Sequence, residues 1–130
     1  LMPPSWSERP QAWAEAIARW QLGPSQSDLG AIGLLHRDYH PNNILWQHGA
    51  LSGVVDWINA CRGPAGLDVG YCQTNLALMY GAEVAEQFLR RYRDQSPAFA
   101  YDPFWDIDAL LDMCLPQPQF YQPWAGFGLG

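Results

Sequence analysis

Three carboxylates and one amide, gathered between residues 36 and 68, are the side chains of this 130-residue chain best suited to do chemistry. In the run HRDYHPNN, Asp38 and Asn43 lie five positions apart; in VVDW, Asp56 closes an apolar run; Asp68 then opens a strongly apolar segment. Phosphoryl transfer needs such a set of oxygens. One carboxylate orients a hydroxyl nucleophile, and further oxygen ligands hold Mg²⁺ on the phosphates.

A second chemistry must be weighed against this one. The histidines of HRDYH have the spacing of metal ligands, as in a metallohydrolase, which would make His40 a ligand. A closed or catalytic zinc site needs three or four protein ligands. Outside His36 and His40 the only histidine is His48, and no Cys/His cluster supplies the rest.

The pattern His36-Arg37-Asp38 with Asn43 five residues after the Asp resembles the protein-kinase catalytic loop. In more detail, HRDYHPNNILW is similar to the His-x-Asp-x-His-Pro-x-Asn-(apolar)-Leu motif of the aminoglycoside phosphotransferase family, which also includes choline-kinase-like enzymes. GVVDWINACRGPAGLDVGY resembles that family's second motif, with Asp-Trp in place of Asp-Phe-Gly and a further Asp twelve residues on. Arg37 departs modestly from the pattern, since Gly is common there in the family.

The resemblance implies an α+β fold: the carboxy-terminal lobe of a protein-kinase-like enzyme, mostly helical, with a small β-hairpin beside the catalytic loop. It implies transfer of the terminal phosphate of ATP or GTP, with Mg²⁺, to a hydroxyl of a small, aminoglycoside-like molecule. Asp38 would be the catalytic base, Asn43 and Asp56 the metal ligands, and His36 and Asp68 the support of the loop. Asp68 would accept hydrogen bonds from the loop backbone, although a carboxylate in the first turn of a helix is also favoured by the macrodipole alone. Acidic residues near the end of the chain, Asp106 and Asp108 with Asp102 and Asp112 around them, could meet an aminated substrate, but a helix cap and an exposed polar face is the reading that the residues by themselves favour. A non-catalytic remnant that keeps the lobe and its motifs is the competing class, and retention of Asp38, Asn43 and Asp56 together speaks for the enzyme.

These residues need elements to carry them. Ile32 to Leu35 reads as a short strand running into the Asp38 loop. Ile44 to Trp46 and Leu51 to Val55 read as two strands joined by a turn at Gln47-His48-Gly49-Ala50, which would bring Asn43 and Asp56 to the same end of a hairpin. Asp38, Asn43 and Asp56 are therefore expected in one cleft. From Pro64 the chain reads as helical, with an apolar segment from about Gly66 to Met79 that leaves little polar face. Helices are also expected over residues 10–21, with Trp13, Ala16, Ile17 and Trp20 on one face, and over Ala82 to Arg93, with Val84, Phe88, Leu89 and Tyr92 inward. A last helix begins at Pro103 after an Asp102 cap and ends before Pro116 and Pro118.

Composition narrows the class. A hydrophobic fraction of 48% with seven Trp excludes a disordered chain, and the length allows one domain, residues 1–130. A formal charge of −6 argues against a nucleic-acid partner, whose phosphates are met by Lys and Arg. A cationic small molecule suits it better. Three cysteines in no metal-like spacing read as reduced thiols in a cytoplasmic protein, with Cys72 and Cys114 packed in helices. No apolar run is long enough to span a membrane. All seven basic residues are Arg. The Lys with which kinase-like enzymes hold the α- and β-phosphates is absent, so the chain is expected to be the carboxy-terminal lobe without its partner lobe. It is also expected to self-associate through the apolar face that lobe would cover. The closing GFGLG lacks the preceding strand and following helix of a phosphate loop and is read as no site.

Overall fold

The structure, a computed structural model, describes residues 1–25, 32–115 and 125–126. Most of the connector before the first strand, Pro116, Pro118 and nearly all of the glycine-rich tail lie outside the described residues. In chain order the elements are α1 (Pro10–Gln21), β1 (Ile32–Leu35), β2 (Ile44–Gln47), β3 (Ala50–Val54), β4 (Cys61–Pro64), α2 (Gly66–Tyr80), α3 (Ala82–Gln95) and α4 (Phe104–Cys114). It is a mixed α+β arrangement in which helices dominate and the strands form two separate antiparallel pairs.

The hairpin β2–β3 turns at His48 and Gly49, whose φ values of 52° and 77° both lie in the left-handed region. Two-residue hairpin loops favour positive φ at both positions because the turn then twists with its strands. Gln47 pairs with Ala50, and an irregularity between Leu45 and Trp46 shifts the register. The ends of the hairpin are tied, Val55 N donating to Asn43 O at 2.9 Å.

The short strand expected over Ile32 to Leu35 is present as β1, and it has a partner that was not expected: β1 pairs with β4, Leu35 opposite Cys61 and Ile32 opposite Pro64. The Cys-Arg-Gly-Pro of β4 has no alternating apolar pattern, so nothing local marks it as a strand. It is held by its partner, and Gly63 permits the approach: a Cβ there would lie 2.7 Å from Leu35 Cδ1.

Helix α2 is the centre of the packing and lies against both α3 and α4, while α1 rests on α4. Its buried residues, among them Val69, Cys72, Thr74, Asn75 and Met79, are spread around the helix, as befits an element covered on more than one side. Glycine sets the closest approach. A Cβ at Gly70 would come within 2.5 Å of the Trp105 carbonyl oxygen, and one at Gly66 would enter the Trp105 ring.

The other helices differ in detail from their periodicity. In α1 only Ile17 is buried; Trp13 instead meets Trp6 edge-on at 5.6 Å, and Trp20 turns its indole to α4. In α3 the buried residue is Ala85, and Val84 is 37% exposed. The α4 helix begins one residue later than expected. Asp102, 2% exposed, accepts Phe104 N at 2.9 Å through Oδ1 and Ser25 N at 2.9 Å through Oδ2, and pairs with Arg19 at 2.7 Å. Those backbone and Arg19 contacts outweigh burial and hold its carboxyl below the usual range. Cys72 and Cys114 are buried, Cys61 is exposed, and all three are free. No helix among the described residues is long and apolar enough to cross a membrane.

Candidate active site

After β1 the chain bends sharply at Arg37, whose φ of 71° places a non-glycine residue in the left-handed region, at a cost of about 1 kcal/mol. Asp68 holds that bend. Its Oδ2 accepts His36 N at 2.6 Å and its Oδ1 accepts Arg37 N at 2.8 Å. The same carboxylate sits in the first turn of α2, so the central helix and the loop share one anchor.

His36, 2% exposed, joins the two motifs. Its Nδ1 accepts Asp38 N at 3.2 Å, which leaves the ring proton on Nε2 to be donated to Val55 O at 2.7 Å. The ring is also tilted against Trp57 with centroids 4.5 Å apart. One neutral imidazole thus spans from the backbone of Asp38 to the residue before Asp56.

Asn43 turns its amide nitrogen to Asp38, donating to the backbone oxygen at 2.8 Å and to Oδ2 at 3.3 Å. Because Nδ2 is committed to acceptors, Oδ1 is the end of this amide that can meet a cation. Between the two, His40 accepts Asn42 N at 3.2 Å through Nδ1, and its Nε2 lies 3.4 Å from Asp38 Oδ1. Burial depresses the His40 pKa below its ordinary 6.5, against the upward pull of the Asp38 charge. His40 therefore acts here as a neutral packing group of the loop. Among the described residues no three His, Cys, Asp or Glu converge as metal ligands, which leaves the metallohydrolase alternative without its ligand set.

Asp56 follows β3 in the left-handed region with φ 65°, and its side chain does not cap the turn Trp57–Asn59 that follows. Its charge acts on the His40 ring. The backbone bond from Val55 N to Asn43 O sets Asp56 at the end of the hairpin where Asn43 meets Asp38. The donors on offer to a cation are an amide oxygen and a carboxylate. Mg²⁺ binds through one or two carboxylates plus substrate phosphates and keeps several waters, so this hard, sparse oxygen set fits it.

Asp38 also opens onto a cavity of about 570 Å³ whose walls include Arg37, Tyr71, Trp105, Asp108 and Asp112. Asp108 is held there by Trp20, whose indole N–H donates to its Oδ1 at 2.7 Å. Asp106 is not brought to this cavity. It accepts from the Tyr101 hydroxyl on the wall of a separate groove with Gln73 and Leu110, and burial raises its pKa above the ordinary 3.8. On α4 the spacing of four between Asp108 and Asp112 puts that pair on one face, while Asp106 falls on another.

Sequence reasoning passed over Tyr71, whose hydroxyl donates to Asp38 Oδ1 at 3.0 Å. A signal was present: Tyr71 lies three residues after Asp68, one turn along the same face of α2. Burial, reinforced by the neighbouring Asp38 charge, pushes the Tyr71 hydroxyl up to about 12.

Comparison with known proteins gives concordant results. Residues 1–106 match the family described as APH, phosphotransferase enzyme family. A homoserine kinase of Gluconacetobacter diazotrophicus is 32% identical over 72 residues, an alignment covering 55% of this chain and 21% of that protein. Two crystal structures of aminoglycoside phosphotransferase APH(4)-Ia, one of them a thermostable mutant in its apo form, share the fold. Each is 22% identical with 94% of this chain covered, at TM-scores of 0.56 and, for the mutant, 0.55. The present chain covers 39% and 40% of those proteins respectively, so it spans well under half the length of the relatives it matches.

Proposed function

The chain belongs to the phosphotransferase enzyme family, and we propose that it forms the acceptor and metal side of a kinase that phosphorylates a hydroxyl of a small, amine-bearing molecule. ATP or GTP is the donor in this reading, and the lobe is the carboxy-terminal one of a kinase-like enzyme. The observation that carries the reading is the placement of Asp38. One carboxylate lies at the wall of an acidic cavity and, through Asn43, beside the oxygen donors of the hairpin ends.

Asp38 accepts a hydrogen bond from the acceptor hydroxyl and aims its oxygen at the terminal phosphorus. It takes the proton as the new oxygen–phosphorus bond forms and the bond to the nucleoside diphosphate breaks, the leaving oxygen keeping the electron pair. Asn43 Oδ1 and the Asp56 carboxylate are the groups that would hold Mg²⁺. Once bound, the ion neutralises charge on the phosphates. His36 and Asp68 touch neither substrate; they fix the loop that carries Asp38.

The cavity supports an aminated acceptor. Of the named wall residues, Asp38, Asp108 and Asp112 are anionic and Arg37 alone is cationic. A positively charged amine would be drawn to Asp108 and Asp112 while its hydroxyl meets Asp38. No Lys is present in the 130 residues to hold phosphates, so these residues alone should turn over orders of magnitude more slowly than a complete site. The cross-strand pair Trp46 and Leu51, 67% and 58% exposed, is an apolar surface through which they would self-associate. Free thiols and a small polar substrate suit the cytoplasm.

The test uses the complete gene product. Asp38→Asn should lower kcat by about 10²-fold or more while nucleotide affinity stays close to that of the parent, as for loss of a positioned base. Asp56→Ala should weaken Mg²⁺–nucleotide binding as well, since it removes a direct ligand. Near-normal turnover by Asp38→Asn would show that Asp38 is not the base.

A further inference from the structure

We propose that Tyr71 is a positioning residue for Asp38, holding one carboxylate oxygen so that the other faces the acceptor hydroxyl. The inference rests on the reading of Asp38 as the base. The two oxygens of Asp38 are unequally engaged. Oδ1 accepts the Tyr71 hydroxyl at 3.0 Å and lies 3.4 Å from His40 Nε2, whereas Oδ2 has the longer contact to Asn43 Nδ2 at 3.3 Å. Oδ2, with one long contact against two on Oδ1, is therefore the less engaged oxygen and the one placed to take a proton, and Tyr71 selects it.

Tyr71 can do this because its own place is well determined. It stands on the helix that packs against both α3 and α4. The residue before it, Gly70, is where that helix comes closest to the backbone of α4. One turn earlier Asp68 grips the backbone of the same loop. Two side chains on one helical face thus hold the loop twice, Asp68 by its amides and Tyr71 by its reactive side chain. A rigid element holding a reactive group lowers the reorganisation needed to reach the transition state. The Tyr71 ring also lines the cavity, so the hydroxyl remains beside the base when an acceptor enters.

Tyr71→Phe keeps the ring and removes only the hydroxyl. In the complete gene product it should lower kcat about ten-fold or more, the size expected for losing one hydrogen bond to a charged group. The KM values for nucleotide and acceptor should stay within about two-fold, since interactions made only in the transition state leave KM alone. In an Asp38→Asn background the same change should add little, because the two residues act as a unit. A readout independent of turnover comes from ¹³Cζ-tyrosine NMR: burial first, and the Asp38 charge second, push the Tyr71 hydroxyl up to about 12, so Asp38→Asn should lower its pKa while burial keeps it above the ordinary 10.

Unchanged kcat in Tyr71→Phe, with Asp38→Asn inactive, would overturn the positioning role and leave the base assignment standing. A raised acceptor KM at constant kcat would overturn it too, assigning the hydroxyl to substrate binding. Full turnover by Asp38→Asn would remove the base and Tyr71's role together. If the Tyr71 variant fails to fold, the NMR titration decides: a Tyr71 resonance indifferent to Asp38→Asn refutes the contact.

Discussion

Replacing Asp68 by Asn should unlock the loop that carries Asp38 without removing any group that the proposed reaction brings to substrate. The carboxylate accepts His36 N at 2.6 Å and Arg37 N at 2.8 Å, one amide on each oxygen. An Asn can accept only one of them and turns its NH₂ against the other. The variant loses one charge-assisted bond outright and weakens the second; such bonds contribute about 1.5–3 kcal/mol each. Water can reach the Arg37 amide, which lies at the exposed side, so the lower end applies there and a net loss of about 2–3 kcal/mol is expected. For a domain of this size that lowers Tm by roughly 10 °C. Thermal denaturation followed by circular dichroism reads the loss, and hydrogen exchange should show the His36 and Arg37 amides losing protection first. The left-handed bend at Arg37, φ 71°, supplies the control. Arg37→Gly relieves about 1 kcal/mol of backbone strain and should recover part of the lost stability when combined with Asp68→Asn. A loss below about 0.5 kcal/mol, within the range of ordinary surface changes, would mean that Asp68 is a first-turn helix residue and no anchor.

Two further changes probe the framework around the site. Gly70→Ala would place a methyl 2.5 Å from the Trp105 carbonyl oxygen, pushing α4 away from α2 at a cost of about 1–3 kcal/mol; urea denaturation measures it, and stability equal to that of the parent would refute the close packing. Asp106→Asn should raise Tm at pH 7. Burial raises the Asp106 pKa above 3.8, so its contribution to stability is complete below that value and is lost as pH rises through the folded-state pKa. The Asn retains an acceptor for Tyr101 and carries no charge to desolvate, so the gain should vanish near pH 3; a lower Tm at pH 7 would contradict it.

Local rules were enough where neighbours in sequence are neighbours in space. The His48-Gly49 turn fixes the hairpin by its own backbone preferences, and so the tied ends near Asn43 and Asp56 follow from chemistry within that short stretch. The apolar run behind Asp68 is long enough to announce a buried helix. Strand β4 was not legible because Cys61–Pro64 is a strand only opposite β1, which lies far earlier in the chain. Nor was the division of labour among the acidic residues of α4. Asp106 and Asp108 look alike in sequence, and one meets Tyr101 at a groove while the other meets Trp20 at the cavity.

The residue types and their spacing in HRDYHPNN and VVDW by themselves determined which groups could handle a proton and a hard cation, since those capacities belong to side-chain chemistry. The tertiary structure decided how these groups are held. Tyr71 reaches its partner across 33 residues, Trp20 across 88, and Asp68 its two amides across 32 and 31. Contacts at such distances leave no periodic trace in the chain, because they depend on how closely α2 and α4 pack. That approach is set by two glycines beneath a tryptophan, a fit of shapes that no local propensity encodes.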